Sequence, residues 1–178
     1  MKKIAEILDQ PLKWVQPSAM RSGFELRADD LLAATLVFRS SLGSFATGES
    51  GDGSWTFKRV GFWSPRATVR VSGSEAEIAS FRHNTWRGGG TLEIVDGPRL
   101  RATSNMWQSK LEFQDESESP LIRFVSGGVL HLSARVEIES GGRELRALPW
   151  LILFGWYVTI LMHRDASTAA GGAAAAAG

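Results

Sequence analysis

Several stretches of this chain hold the residue types that bind ions or run chemistry. Asp115, Glu116 and Glu118 cluster ahead of Pro120. A calcium ion takes about six to eight oxygens from an ordered loop; three carboxylates without ligand spacing read instead as a solvated turn. His83, His131 and His163 lie far apart, without the spacing of metal ligands. The glycine-rich stretch 48–53, GESGDG, superficially looks like a phosphate loop. It lacks the lysine and following helix of a nucleotide cradle, and Asp52-Gly53 ahead of SWTF reads as a hairpin turn. Serines, histidines and aspartates are present, but no nucleophile elbow is. The chain has no cysteine, which excludes disulfides, thiol nucleophiles and thiolate-bound metals. These residues predict a protein that is not an enzyme and carries no cofactor or metal.

One constellation fits binding. Lys58, Arg59, Arg66 and Arg70 flank an expected hairpin with Phe62 and Trp63 near its tip. The functional reading is a basic rim with an aromatic wedge that touches anionic lipid head groups. The plainer reading, favoured on residue types alone, is solvated strand faces with the two aromatics covering a barrel mouth. Trp14, Trp55, Trp86 and Trp107 are similarly expected to fill a wide barrel rather than stack on sugars or bases.

The elements that must carry these residues are short. From Leu12 onward the apolar residues recur with a period of two, most cleanly over 129–139: Leu130, Leu132, Ala134, Val136 and Ile138 point one way and His131, Ser133, Arg135, Glu137 and Glu139 the other. Turn residues such as Asp29-Asp30, Ser72-Gly73-Ser74 and Asp96-Gly97-Pro98 separate such segments. The pattern predicts about twelve strands at roughly ten-residue spacing, the signature of a β-barrel or sandwich. Their expected spans are 12–16, 23–28, 31–39, 43–49, 54–60, 66–72, 76–82, 90–95, 99–104, 110–115, 120–126 and 129–139. Residues 1–11 form a leading segment, a short amphipathic turn or a frayed end.

One run breaks the pattern. PWLILFGWYVTILM, Pro149 to Met162, has no charged residue. It is too long for a typical strand of about five or six residues, and Pro149 suits a first helical turn. A helix over about 148–163 follows, apolar on every side, with Gly155 allowing a close approach to a large neighbour. Such a helix must be surrounded by protein or by lipid. Crossing about 30 Å of hydrocarbon takes about 20 apolar residues, whereas this run rises about 21 Å at about 1.5 Å per residue. Arg146 and Arg164 bound it closely. Strands wrapped around the helix are therefore expected, with Trp150, Leu153, Phe154, Trp156, Tyr157, Ile160 and Leu161 meeting their inward faces. The barrel with its central helix would occupy 12–165. Residues 166–178, almost all Ala and Gly, have little to bury and are expected to be a disordered tail.

About twelve strands followed by one apolar helix resembles the tubby-like barrel, shared by tubby carboxyl-terminal domains, phospholipid scramblases and LURP-one-related proteins. The resemblance covers Leu12 to about Arg164. It rests on the order of elements and on LPWLILFGWYVTILMHR, with GSWTFKRVGFW and RATVRVSGSEAEIASF in support. It implies a mainly β, closed barrel of about twelve strands enclosing the carboxyl-terminal helix. It also implies phosphoinositide binding or scramblase-associated lipid movement as the family's better-known activities. No residue-level signature of the tubby or scramblase subfamilies stands in the chain, so no functional residue carries over.

The expected function is a non-enzymatic binding or scaffold domain at an anionic membrane surface or on another protein. The alternatives are a tail-anchored protein with a cytoplasmic β-domain and a carrier of an apolar ligand. A net charge of +1 gives no reason to expect nucleic acid. Glu6, Asp9 and Gln10 interrupt the amino end, so no export signal is read and a cytoplasmic location is expected.

Overall fold

The computed structural model describes residues 1–17, 22–61, 65–84, 89–105, 109–127 and 132–176. Twelve strands appear in chain order: β1 (Leu12–Val15), β2 (Gly23–Ala28), β3 (Leu31–Phe38), β4 (Ala46–Ser50), β5 (Gly53–Val60), β6 (Arg66–Val71), β7 (Glu77–Asn84), β8 (Gly89–Ile94), β9 (Arg99–Ser104), β10 (Lys110–Gln114), β11 (Pro120–Gly127) and β12 (Ser133–Ile138). Each pairs antiparallel with its sequence neighbour, and β1 pairs with β12, so the sheet closes into a barrel. The closing seam is short: Leu12 faces Val136, Lys13 faces Arg135 and Trp14 faces Ala134. Closure leaves no bare strand edge.

Inward positions follow the alternation that the sequence predicts. Phe24, Leu26 and Ala28 on β2, and Leu111 and Phe113 on β10, are buried. They face the helix α2 (Leu148–Ala176), which runs down the barrel's interior. Seven strands press large side chains onto it. Trp14 stacks on Trp156 at 5.9 Å between ring centroids, and Phe24 meets the same indole edge-on at 5.7 Å. Phe38 stacks on Tyr157 at 5.6 Å, while Phe57 contacts Phe154 and Tyr157 at 5.8 and 5.4 Å. Phe81 meets Phe154 edge-on at 6.0 Å. Phe113 and Phe124 close the ring opposite Gly155, where a Cβ would lie 2.3 Å from the Phe124 ring. On β4 the wall thins to Ala46 and Gly48 so that Leu153 fits: a Cβ on Gly48 would come within 2.6 Å of Leu153 Cδ2.

The expected helix residues Trp150, Leu153, Phe154, Trp156, Tyr157, Ile160 and Leu161 are all buried. Leu148 begins the helix, with Pro149 in its first turn. Thr159 donates its hydroxyl to the Gly155 carbonyl at 2.9 Å, so its polar atom is satisfied within the helix. The amino end folds across one mouth of the barrel. A 3-10 turn, Ile4–Glu6, places Ile4 and Ile7 in the core, and Asp52 accepts the Ile4 N–H at 2.8 Å.

Three details differ from expectation. Strand β4 begins at Ala46 rather than 43, because Ser40 Oγ accepts the Gly43 N–H at 2.8 Å and holds 40–44 as a loop. A short helix α1 (Ser140–Arg143) precedes α2. Helix α2 itself runs to Ala176 rather than ending at 163, through a segment expected to lack structure. Alanine is the strongest helix former, and a helix already nucleated inside the barrel propagates into it at little cost. The expected strand 129–139 is described from Ser133, and residues 128–131 lie outside the described set.

Candidate functional site

Helix α2 leaves the barrel at the mouth formed by the carboxyl ends of β3, β5 and β7. Here β5 alternation turns Arg59 inward, in line with Trp55 and Phe57, just as the helix becomes polar. Its guanidinium forks onto both oxygens of Asp165, at 3.1 and 2.7 Å. That hydrogen-bonded carboxylate raises the Arg59 pKa against the opposing effect of burial. The β3–β4 loop is tied to the same place. Tyr157 donates its hydroxyl to the Ser44 carbonyl at 2.8 Å, and Arg164 donates to the Gly43 carbonyl at 3.1 Å. The Arg164 guanidinium also sits 4.0 Å above the Phe38 ring, a cation–π contact. Burial lowers the Arg164 pKa and raises that of Tyr157.

Between loop and helix opens a cleft of about 560 Å³, lined by Leu42, Ser44, Arg59, Leu161, His163 and Arg164 among others. Burial lowers the pKa of His163, and its Nε2 has no hydrogen-bond partner. His83, the last residue but one of β7, lies at this mouth; burial, then the Arg59 charge, lower its pKa. Among the described residues neither imidazole hydrogen-bonds to a serine or a carboxylate. The Ser44 hydroxyl is engaged with the Arg59 backbone N–H at 3.3 Å. Among the described residues the arrangement offers cationic and hydroxyl groups to a ligand.

The four basic residues singled out in the sequence do not form one patch. Arg59 faces the mouth, whereas Lys58, Arg66 and Arg70 lie on the outer wall of β5 and β6. Arg66 forks onto Glu77 at 2.6 and 3.3 Å. Arg70 reaches Glu75 and Glu77, each at 3.1 Å. Those partners raise the Arg66 pKa and lower that of Glu77. Lys58 alone of the four is exposed and without a carboxylate partner among the described residues. Phe62 and Trp63 lie outside the described residues, as do Trp86, Trp107 and His131. Trp14 and Trp55 fill the barrel as expected.

The acidic stretch before Pro120 is the β10–β11 turn. Asp115 Oδ1 accepts the N–H groups of Ser117 and Ser119 at 2.8 and 2.9 Å, and Glu118 pairs with Arg101. With Arg99 and Arg101 it borders a second cleft of about 320 Å³. Among the described residues no group of three or more His, Asp or Glu side chains could hold a metal ion.

Sequence reasoning misses all three acidic partners, Glu75, Glu77 and Asp165. Glu77 was within reach of it: the hairpin register sets Glu77 opposite Arg70. Asp165 was not, because its bond to Arg59 spans 106 residues and depends on where the helix emerges. No protein family, curated protein or solved structure matches this chain.

Proposed function

We propose that this chain is a non-enzymatic binding domain of the tubby-like barrel type, working at the surface of an anionic membrane. The supporting observation is the filled interior. Twelve strands close around α2, and the residues 150–161 that could have gripped a bilayer or lined a lumen are buried against strand aromatics. A carrier of apolar cargo needs that space empty. A tail anchor needs the same residues in lipid, and among the described residues no helix is long and apolar enough to cross a membrane. Binding is left to the outside of the barrel, where the mouth presents cations, hydroxyls and a cleft. The hydrogen-bonded state of Ser44 and the isolation of the described histidines support the non-enzymatic part.

Sedimentation of the full chain with vesicles tests the membrane part. Phosphatidylcholine alone is compared with phosphatidylcholine containing phosphatidylserine or a phosphoinositide. Binding to the anionic vesicles that falls with added salt supports the reading. Equal and negligible binding to all three removes it.

A further inference from the structure

The net charge of +1 conceals a segregation of charge along the barrel axis. Because the strands run alternately, every connection lies at one of two ends. At the end capped by the amino-terminal turn lie the hairpins 29–30, 51–52, 72–76, 95–98 and 115–119. Each holds at least one carboxylate: Asp29, Asp52, Glu75, Asp96 and Asp115 among them. Among the described residues that join strands at the opposite end, 16–17, 22, 39–45, 61, 65, 105, 109 and 132, there is no Asp or Glu. The carboxylates described near that mouth are engaged: Arg59 occupies both oxygens of Asp165, Glu25 pairs with Arg27, and Glu112 pairs with Lys110 and Arg123.

Three cations at this end are left over. Arg39 in the β3–β4 connection, Lys58 near the end of β5 and Arg82 near the end of β7 are exposed. None has a carboxylate partner among the described residues. Beside Arg39, at the tip of the same connection, Leu42 is 98% exposed, more than any other large apolar residue described. A fully solvated leucine beside unpaired cations is what a headgroup layer accommodates: apolar side chain inward, cations against phosphates.

We infer that the mouth from which α2 emerges is the membrane-facing end, and that the barrel stands end-on upon an anionic bilayer. Leu42 enters the headgroup layer, and Arg39, Lys58 and Arg82 lie against lipid phosphates. This rests on the membrane reading above and adds the orientation and the contact residues. A bilayer fits better than a nucleic acid. The cations are spread around a mouth on several strands rather than along a track, and a nucleic acid offers no apolar layer for Leu42. The acidic turns at the far end face away and oppose inverted docking, a field that steers the approach.

Two measurements on the full chain test this with phosphatidylcholine–phosphatidylserine vesicles. Because the chain has no cysteine, Leu42→Cys and Val95→Cys each accept a single environment-sensitive dye. Val95 is 61% exposed at the opposite end. A blue shift at position 42 with none at 95 is expected; a shift at 95, or equal shifts, overturns the orientation. The second measurement compares two triple charge reversals with the same net charge. R39E/K58E/R82E is expected to weaken binding by at least about a hundredfold, at about fivefold per cation near the surface. K2E/K3E/R146E, remote from the mouth, is expected to stay within about threefold, since screening confines charge effects to about 8 Å. Equal losses overturn the inference while leaving membrane binding intact. If the unaltered chain binds no vesicle, or binds single-stranded RNA in preference to vesicles, the membrane reading itself fails.

Discussion

Replacing Gly155 by alanine places a methyl group where the barrel wall already stands. The new Cβ would lie 2.3 Å from Cε2 and Cζ of Phe124 and 3.0 Å from Cε2 of Phe113. Both rings are fully buried. Alanine improves helix propensity by about 1 kcal/mol over glycine, whereas overpacking a dense core costs about 1–3 kcal/mol. With a ring more than 1 Å too close for contact at ~3.5 Å, the cost belongs at the upper end. Gly155→Ala is therefore expected to lose about 2 kcal/mol net, which lowers Tm by roughly 4–8 °C for a domain of this size. Urea and thermal unfolding, followed by circular dichroism and tryptophan fluorescence, measure it. Shrinking the neighbour should return much of the loss, so G155A/F124L should be less unstable than the sum of its single changes. A Gly155→Ala protein as stable as the parent, or more so, would show that propensity alone operates. The helix would then not be pressed against β10 and β11, and its enclosure would be refuted.

The acid limb of stability should carry the signature of Glu112. Burial opposes its ionisation, yet hydrogen bonds from Arg123, Gln114 and Lys110 outweigh that and hold its pKa at about 2, against 4.5 ordinarily. Its contribution, roughly 2–3 kcal/mol, is whole above pH about 4.5 and is lost as pH falls through about 2; Glu112→Gln should flatten that part of the profile in urea titrations. Tyr157→Phe removes the bond to Ser44, so it should cost about 1 kcal/mol and speed amide exchange in 40–45. Asp165→Asn loosens an ion pair whose side chains are partly exposed, and a thermal melt should register less than about 1 kcal/mol. Ending the chain after Asp165 removes residues with no described contact to the barrel, so Tm should move by no more than about 2 °C.

The strand series was legible because one dry and one wet face leave a period of two, and because Asp, Gly and Pro mark nearly every turn. The alternation of β2 and β10 puts Phe24, Leu26, Leu111 and Phe113 where the sequence places them. The helix and its enclosure were legible from the length of an uncharged run too short for a bilayer and too long for a strand. Boundaries failed at 40–44, where Ser40 Oγ holds the loop locally and Tyr157 and Arg164 bond its carbonyls from the distant helix. The helix terminus failed because composition describes an isolated segment, whereas 166–176 extends a helix already formed. Charge was the least legible feature. Arg59, Arg66 and Arg70 read as a free basic cluster, yet their acidic partners belong to another strand, a turn and the helix. The leftover cations Arg39 and Arg82 become a set only once the topology assigns every connection to an end.

The segment that the barrel is built around follows all twelve strands in the chain. During synthesis, β1 to β12 therefore leave the ribosome while the residues 148–162 that fill their common interior are still untranslated or in the exit tunnel. A nascent sheet at that stage has bare first and last edges and an inner face of unsatisfied aromatics, a state prone to aggregate. Closure of the barrel around its helix must wait until 148–162 have left the tunnel, so a chain cut short between residues 139 and 149 is a product for chaperones and proteases rather than a smaller working domain.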